Sequence, residues 1–136
     1  MGRKINLAIF GIFYFVAGCN HFAHPGIYRQ FIPPYFRYQE AINYVSGSLE
    51  VICAQLMLFA ATRKFGMYLT ILLLLVFIPA HVYMIQLHGR ISREFSFPEW
   101  VAWVRLFPLQ FVLIWWAYKT WAVFKTGEPP EPGSAG

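Results

Sequence analysis

Four long apolar stretches dominate this sequence and limit what it can fold into. They comprise residues 5–22, 41–62, 65–87 and 100–124. Each is close to the ~20 residues that a helix needs to cross the apolar core of a bilayer. Because backbone polar groups must be satisfied inside lipid, each stretch is predicted to be a helix, and none alternates apolar and polar residues as a barrel strand does. The predicted fold is all-α, a four-helix transmembrane bundle.

Composition excludes the main alternatives to a membrane protein. Of the 136 residues, 58% are hydrophobic and 12% are charged. A soluble domain carries about 25% charged residues, so a chain this apolar would expose large apolar patches to water. A soluble enzyme and an intrinsically disordered chain are both excluded. The length allows one domain, predicted at residues 1–126, followed by a disordered tail at 127–136 that is rich in glycine and proline.

The positions of the lysine and arginine residues predict how the helices are oriented. Six of these residues fall on one side of the membrane and four on the other. Cytoplasmic loops carry the excess of basic residues, so both termini are predicted to be cytoplasmic. The net charge of +5 reflects this placement, and no nucleic-acid partner is expected. The six are Arg3, Lys4, Arg63, Lys64, Lys119 and Lys125, and the four are Arg29, Arg37, Arg90 and Arg93.

The loop between the first two helices, residues 23–40, is long and aromatic. Its Pro33-Pro34 pair cannot lie inside a regular helix. We predict a short amphipathic segment that lies on the outer membrane interface, where aromatic side chains are enriched. The aromatic residues concerned are Tyr28, Phe31, Tyr35, Phe36 and Tyr38.

Strongly polar residues within the apolar stretches are concentrated towards the outer ends of the helices. Polar groups inside a membrane are costly and indicate a functional site. Helical spacing places Asn43, Ser46 and Glu50 on one face of the second helix. We predict that Glu50 pairs with Arg105, because an isolated carboxylate in hydrocarbon is strongly unfavourable. The predicted outward-facing pocket consists of Asn20, His21, Ser46, Glu50, His81, Arg105 and Gln110.

A purely structural role for the same residues is the alternative. A buried pair of Glu50 and Arg105, with histidine and asparagine around it, can fix the register of a helix bundle without binding anything. The sequence leaves both interpretations open.

Two prolines are expected to shape the pocket. Pro79 lies two residues before His81, and Pro108 lies three residues after Arg105. A proline removes one helix hydrogen bond and frees the carbonyl four residues earlier, here those of Leu75 and Val104. Kinks at matched depth would open the bundle on one side.

Neither the cysteines nor the histidines suggest a disulfide or a metal centre. Cys19 and Cys53 are predicted at different depths, roughly 5 and 18 Å from the outer surface at the helical rise per residue, so both are interpreted as buried free thiols. The histidines lack the spacing of a zinc site, and no metal is expected.

Several motifs in order along the chain resemble the DoxX-like family of small four-helix membrane proteins. They cover nearly the whole chain, with His81 standing where many relatives carry asparagine. The motifs are Gly18-Cys19-Asn20-His21-Phe22, Ile32-Pro33-Pro34-Tyr35, Ser46-Gly47-Ser48-Leu49-Glu50, Val76-Phe77-Ile78-Pro79-Ala80-His81 and Arg105-Leu106-Phe107-Pro108-Leu109-Gln110.

The resemblance implies a multi-pass protein of the bacterial inner (plasma) membrane and a redox-associated role. DoxX-like proteins take their name from a subunit of a thiosulfate:quinone oxidoreductase, and more distant eukaryotic relatives resemble assembly chaperones for membrane receptors. The implied partners are the lipid bilayer, a redox partner protein and a further copy of the chain.

Quinone is the ligand expected in the pocket, since its carbonyl oxygens need polar contacts and its ring needs apolar walls. Phe77, Tyr14 and Trp103 are the predicted walls. The sequence contains no motif for an intrinsic haem, flavin or iron–sulfur centre, so electrons would come from a partner and the chain is not expected to be an enzyme alone. The alternative is a non-enzymatic assembly, chaperone or lipid-binding module. A transporter is disfavoured because the chain has no inverted repeat.

Overall fold

The computed structural model describes residues 2–88, 90, 96 and 98–127. In this part of the chain the regular elements are helices, and one isolated antiparallel bridge joins Arg90 to Ser96. The helices are α1 (Gly2–Ala23), α2 (Pro25–Gln30), α3 (Gln39–Leu58), α4 (Arg63–Val76), α5 (Ile78–Gln86), α6 (Glu99–Val104), a π-helical segment (Arg105–Gln110) and α7 (Phe111–Gly127).

Four stretches of this helical structure are long and apolar enough to cross a membrane. They are Ile5–Ala23, Gln39–Leu58, Arg63–Gln86 and Glu99–Lys119. The sequence prediction of an all-helical chain with four membrane-length helices is therefore confirmed for the described residues.

The predicted end of the second long helix was wrong by four residues. α3 ends at Leu58 because Phe59 adopts an extended backbone conformation. Two side chains then satisfy carbonyl groups in the last turn of α3. The Thr62 hydroxyl donates to the Leu56 carbonyl at 2.9 Å, and Arg63 Nε donates to the Met57 carbonyl at 3.1 Å. These bonds replace the helical ones that the chain loses at a helix end.

The predicted disordered tail falls almost wholly outside the described residues. Only its first residue, Gly127, is described, and it is the last residue of α7. Residues 128–136 lie beyond the part of the chain that the structure describes.

The long helices contact one another in a closed order. α1 packs on α3, α3 on α4, α4 on α7, and α7 on α1. The Trp116 indole N–H on α7 donates to Asn6 Oδ1 on α1 at 2.7 Å, which ties the first helix to the last. The main apolar core fills the space between these helices. Its buried members are Leu7, Phe10, Tyr14, Cys53, Ala54, Met57, Met67, Leu73, Leu74, Leu113 and Ala117.

A smaller apolar cluster lies at the other end of the helices. It consists of Phe31, Met84 and Ala102, with Ile27, Tyr28 and Ile85 packed against them. Residues 24–38, which we term the cap segment, contribute to this cluster. The cap segment contains α2 and the following turns, and Phe31 and Pro33 are its buried residues.

Both prolines predicted to break helices lie at breaks. α4 ends at Val76, and Pro79 lies in the first turn of α5, where a missing N–H is tolerated. The fourth membrane-length helix is interrupted within its π-helical segment, where Phe107 has φ −128° and ψ 118° just before Pro108. This extended residue shifts the register of the side chains that follow it.

Candidate functional site

A cavity of about 420 Å³ lies between the main core and the smaller apolar cluster. Its volume falls in the ~300–1,000 Å³ range of small-molecule sites. All four long helices and the cap segment contribute to its lining. Among the lining residues, Phe13, Phe36, Val76 and Leu109 are exposed, so the cavity reaches the outer surface of the molecule.

The structure brings six of the seven predicted pocket residues to this cavity. Asn20 is the one that does not line it, but its side-chain amide donates to the Tyr28 hydroxyl at 2.9 Å, and Tyr28 does line it. The six that line it are His21, Ser46, Glu50, His81, Arg105 and Gln110.

A chain of polar side chains joins α1 to α3 along one wall of the cavity. His21 Nδ1 lies 2.8 Å from Asn43 Oδ1, and the Asn43 amide nitrogen donates to the His21 carbonyl at 3.1 Å. His21 Nε2 lies 3.5 Å from Glu50 Oε2. All three side chains are buried, and the His21 ring lies against the Tyr28 ring with their centroids 3.9 Å apart.

Two glycines make this close contact between α1 and α3 feasible. A Cβ atom at Gly47 would lie 2.6 Å from the His21 Cβ, and one at Gly18 would lie 2.8 Å from the Gly47 carbonyl oxygen. Such distances leave no room for a side chain. The two helices therefore approach backbone to backbone at the level of His21, which brings its imidazole within reach of Asn43 and Glu50.

The predicted direct pair of Glu50 and Arg105 was wrong. The ion pair of Glu50 is with His21, and the described residues place no carboxylate within 4.0 Å of the Arg105 guanidinium. Arg105 instead lies over the Phe31 ring of the cap segment, 5.5 Å from its centroid, which is a cation–π geometry. Glu50 and Arg105 nevertheless line the same cavity.

Gln110 joins the fourth long helix to the third at the level of the helix breaks. Its amide donates to the Leu74 carbonyl, and the residue is 2% exposed. The sequence predicted a freed carbonyl at Leu75, one residue further along. In the structure, Gln110 bonds to the Leu74 carbonyl instead. This carbonyl is free because α4 ends before Ile78, whose N–H would bond to it in a continuous helix.

The cap segment closes one end of the cavity, and this role was missed by the sequence reasoning. Tyr28, Phe31, Pro33 and Phe36 all line the cavity. The loop composition predicted an amphipathic segment at the interface, but nothing in it indicated which neighbour its apolar side would cover. Of the predicted walls, Tyr14 and Phe77 line the cavity. The third, Trp103, is exposed, and its indole N–H donates to Glu99 at 3.4 Å.

Three residues that line the cavity each have a buried polar atom without a hydrogen-bond partner among the described residues. The atoms are the Tyr14 hydroxyl, Glu50 Oε2 and His81 Nδ1. The 3.5 Å contact of Glu50 Oε2 with His21 is an ion-pair distance rather than a good hydrogen bond. A buried polar group without a partner costs about 1–3 kcal/mol, so three around one cavity require an explanation. Tyr14, Glu50 and His81 together provide both hydrogen-bond donors and acceptors in the wall of the cavity.

The cysteines lie outside this polar cluster. Cys19 is exposed and Cys53 is buried, and both are free thiols, so the prediction that both are buried was wrong for Cys19. Within the described residues, no group of three histidine, cysteine, aspartate or glutamate side chains is arranged to hold a metal ion.

The described part of the chain is helical, and four helices of membrane-crossing length line a largely apolar cavity that also contains polar side chains. The chain belongs to the family described as domain of unknown function DUF8561, whose model matches residues 10–121. No curated protein and no solved structure matches the chain.

Proposed function

We propose that the chain is a multi-pass membrane protein of DoxX-like type that binds a quinone, or another small amphiphile, in the cavity between its helices. The three unpartnered polar atoms at the cavity carry the proposal, because they are the feature that a purely structural cluster does not need. A bundle held in register by polar contacts is most stable when every buried group is satisfied. Here Tyr14, Glu50 and His81, which all line the cavity, each keep a buried polar atom without a hydrogen-bond partner among the described residues.

The dimensions and polarity of the cavity support a ring-shaped amphiphile. Arg105 can donate to a carbonyl oxygen, and Tyr14 and His81 provide further polar contacts, while Phe77 and Leu113 supply apolar walls. The cavity reaches a surface of exposed apolar side chains that lipid would cover, which gives a membrane-soluble ligand a way in. Electrons would come from a partner protein, so we propose a redox-associated subunit rather than an enzyme on its own.

The proposed location is the bacterial inner membrane, with both termini in the cytoplasm and the cavity in the outer half. The distribution of lysine and arginine along the chain supports this orientation. In this orientation the cap segment lies at the outer interface, and exposed aromatic residues of the cap, such as Tyr35 and Tyr38, lie at the level of the lipid head groups.

Added menaquinone is expected to raise the melting temperature of the detergent-purified protein, because a ligand that binds only the folded state stabilises it. The rise should disappear in Arg105→Ala, which removes the charged donor from the cavity. Lys119→Ala is the matched control, since Lys119 is an exposed cation of the same long helix that lies over Trp115, 5.8 Å from its ring centroid and outside the cavity. An equal rise in wild type and Arg105→Ala would contradict the proposed site.

A second function, an assembly or lipid-binding module, is favoured by one specific observation. Large aromatic side chains remain exposed at one end of the molecule, including Tyr38 at 73% and Trp100 at 65%. Such a surface suits the transmembrane helix of a partner. Stable co-purification of a partner protein, with no effect of quinone on the melting temperature, would support this function over the first.

A further inference from the structure

The orientation of one amide group determines the protonation of the polar chain between α1 and α3. Asn43 donates through its amide nitrogen to the His21 carbonyl, so its Oδ1 must be the atom that faces His21 Nδ1. An amide oxygen only accepts, and therefore Nδ1 of His21 carries a hydrogen. The remaining imidazole nitrogen, Nε2, is the one that faces Glu50.

The arrangement is most favourable when Glu50 and His21 carry one proton in total. If both lacked it, a carboxylate would face the lone pair of Nε2 at 3.5 Å in a buried place, which is unfavourable for both groups. With one proton, the pair is either imidazolium and carboxylate or imidazole and carboxylic acid. The summed charge of the pair is zero in both arrangements.

The charge of the whole cavity follows from its other titratable groups. The tyrosine side chains of the lining are phenols and carry no formal charge. Among the described residues no carboxylate lies within 4.0 Å of His81, and the Arg105 charge that shares the cavity disfavours a second positive charge there. Arg105 is always charged. Cys53, the titratable group nearest to Glu50 on α3, is a buried thiol outside the lining.

We propose that the cavity carries one net positive charge, because the His21–Glu50 pair holds a single proton, and that its ligand is an amphiphile whose head group is a singly charged oxyanion. Such a head group neutralises Arg105 and so removes the isolated charge from an apolar setting. The inference rests on the proposed function, since it needs the same cavity to bind an amphiphile, and it specifies the charge of that ligand. Ionised hydroxyquinones and fatty acids share this chemistry.

Two matched pairs of probes test the charge preference. Lawsone is an acidic hydroxynaphthoquinone, and menadione carries a methyl group in place of that hydroxyl. Decanoic acid and decanol form the second pair. Affinities are measured by isothermal titration in a Cys19→Ser background, because menadione adds to exposed thiols and Cys19 is exposed. We expect the anionic member of at least one pair to bind about tenfold more tightly than its neutral counterpart.

The outcomes separate this inference from the proposed function. A preference for lawsone identifies a hydroxyquinone as the source of the oxyanion, and a preference for decanoate alone identifies a fatty acid. Tight binding without charge preference in either pair overturns the inference but leaves the quinone function standing. Absence of binding by all four probes overturns both.

Two variants of cavity residues and one control variant test the proton count. Arg105→Gln should abolish the charge preference, while Lys119→Gln should retain it. Glu50→Gln should leave the preference within about twofold, because glutamine and neutral His21 have the same summed charge as the proton-sharing pair. If Glu50 were instead ionised beside a neutral His21, the wild-type cavity would be neutral and Glu50→Gln would create a preference absent before. That result would overturn the single-proton assignment.

Discussion

Replacing Gly47 with alanine is expected to lower the free energy of unfolding by about 2–3 kcal/mol, which is the upper part of the range for overpacking a tight interior. The new methyl group would lie 2.6 Å from the His21 Cβ and 2.9 Å from the Gly18 carbonyl oxygen. The second of these atoms is backbone, so it cannot rotate away, and α1 and α3 must move apart. Thermal unfolding in detergent measures the loss.

Gly11 provides a matched control on α1. A Cβ atom there would meet its nearest neighbours, Leu58 and Ala54, at 3.8 and 3.9 Å, which are ordinary van der Waals distances. Glycine within a helix is less stable than alanine by roughly 0.5–1 kcal/mol, so Gly11→Ala should be neutral or stabilising. The same substitution should therefore have opposite effects at two buried glycines. Similar melting temperatures for Gly11→Ala and Gly47→Ala would show that α1 and α3 are not closely packed at Gly47.

The close approach at Gly47 also fixes the site, because His21 lies directly against that glycine. Separation of α1 from α3 would move Nε2 away from Glu50 and Nδ1 away from Asn43, whose contacts are 3.5 and 2.8 Å in the native structure. Gly47→Ala is thus expected to weaken any ligand effect on the melting temperature as well as the fold.

The long helices were predictable from the sequence because their cause is local. Length and apolar composition alone define four membrane-length helices, and Pro79 and Pro108 locate the two breaks. Helix ends were less predictable, since α3 ends where Thr62 and Arg63 bond to carbonyl groups of its last turn. Such bonds depend on how the next helix is placed, which the local pattern does not contain.

The members of the candidate site were largely predictable, but their pairing was not. Polar residues in an apolar helix turn inward, so Glu50, His81 and Arg105 could be assigned to one cavity from their depth and helical face. The choice of partner for Glu50 depended on the distance between helices. Gly18 and Gly47 let α1 approach α3 so closely that His21 lies nearer to Glu50 than Arg105 does. The sequence signal for this approach was the pair of small residues at the α1–α3 contact.

Exchange of His21 for leucine is expected to be the most costly change at the site. Removal of one partner from a buried pair costs about 3–5 kcal/mol, because the other charged group stays buried without compensation. His21→Leu leaves Glu50 without its neighbour and also removes the contact to Asn43 Oδ1. Glu50→Leu should cost less, since a neutral His21 keeps its bond to Asn43.

A double-mutant cycle isolates the contribution of the pair. The double variant His21→Leu, Glu50→Leu contains neither an unpaired acid nor a histidine, and should be more stable than His21→Leu alone. The expected coupling energy is about 2 kcal/mol, within the range for residues in contact. Glu50→Leu combined with Lys119→Leu is the control, because the exposed Lys119 lies outside the cavity and the two effects should add.

Unfolding in mixed micelles measures each corner of the cycle, and the sign of the difference between His21→Leu and the double variant is decisive. If His21 and Glu50 merely lie near each other without sharing a proton, loss of Glu50 brings no relief and the two costs add. A double variant less stable than His21→Leu would then exclude a proton held by the pair. A double variant more stable than His21→Leu would show instead that the buried acid at the cavity wall depends on His21. Under that condition Arg105 alone sets the charge that a ligand meets.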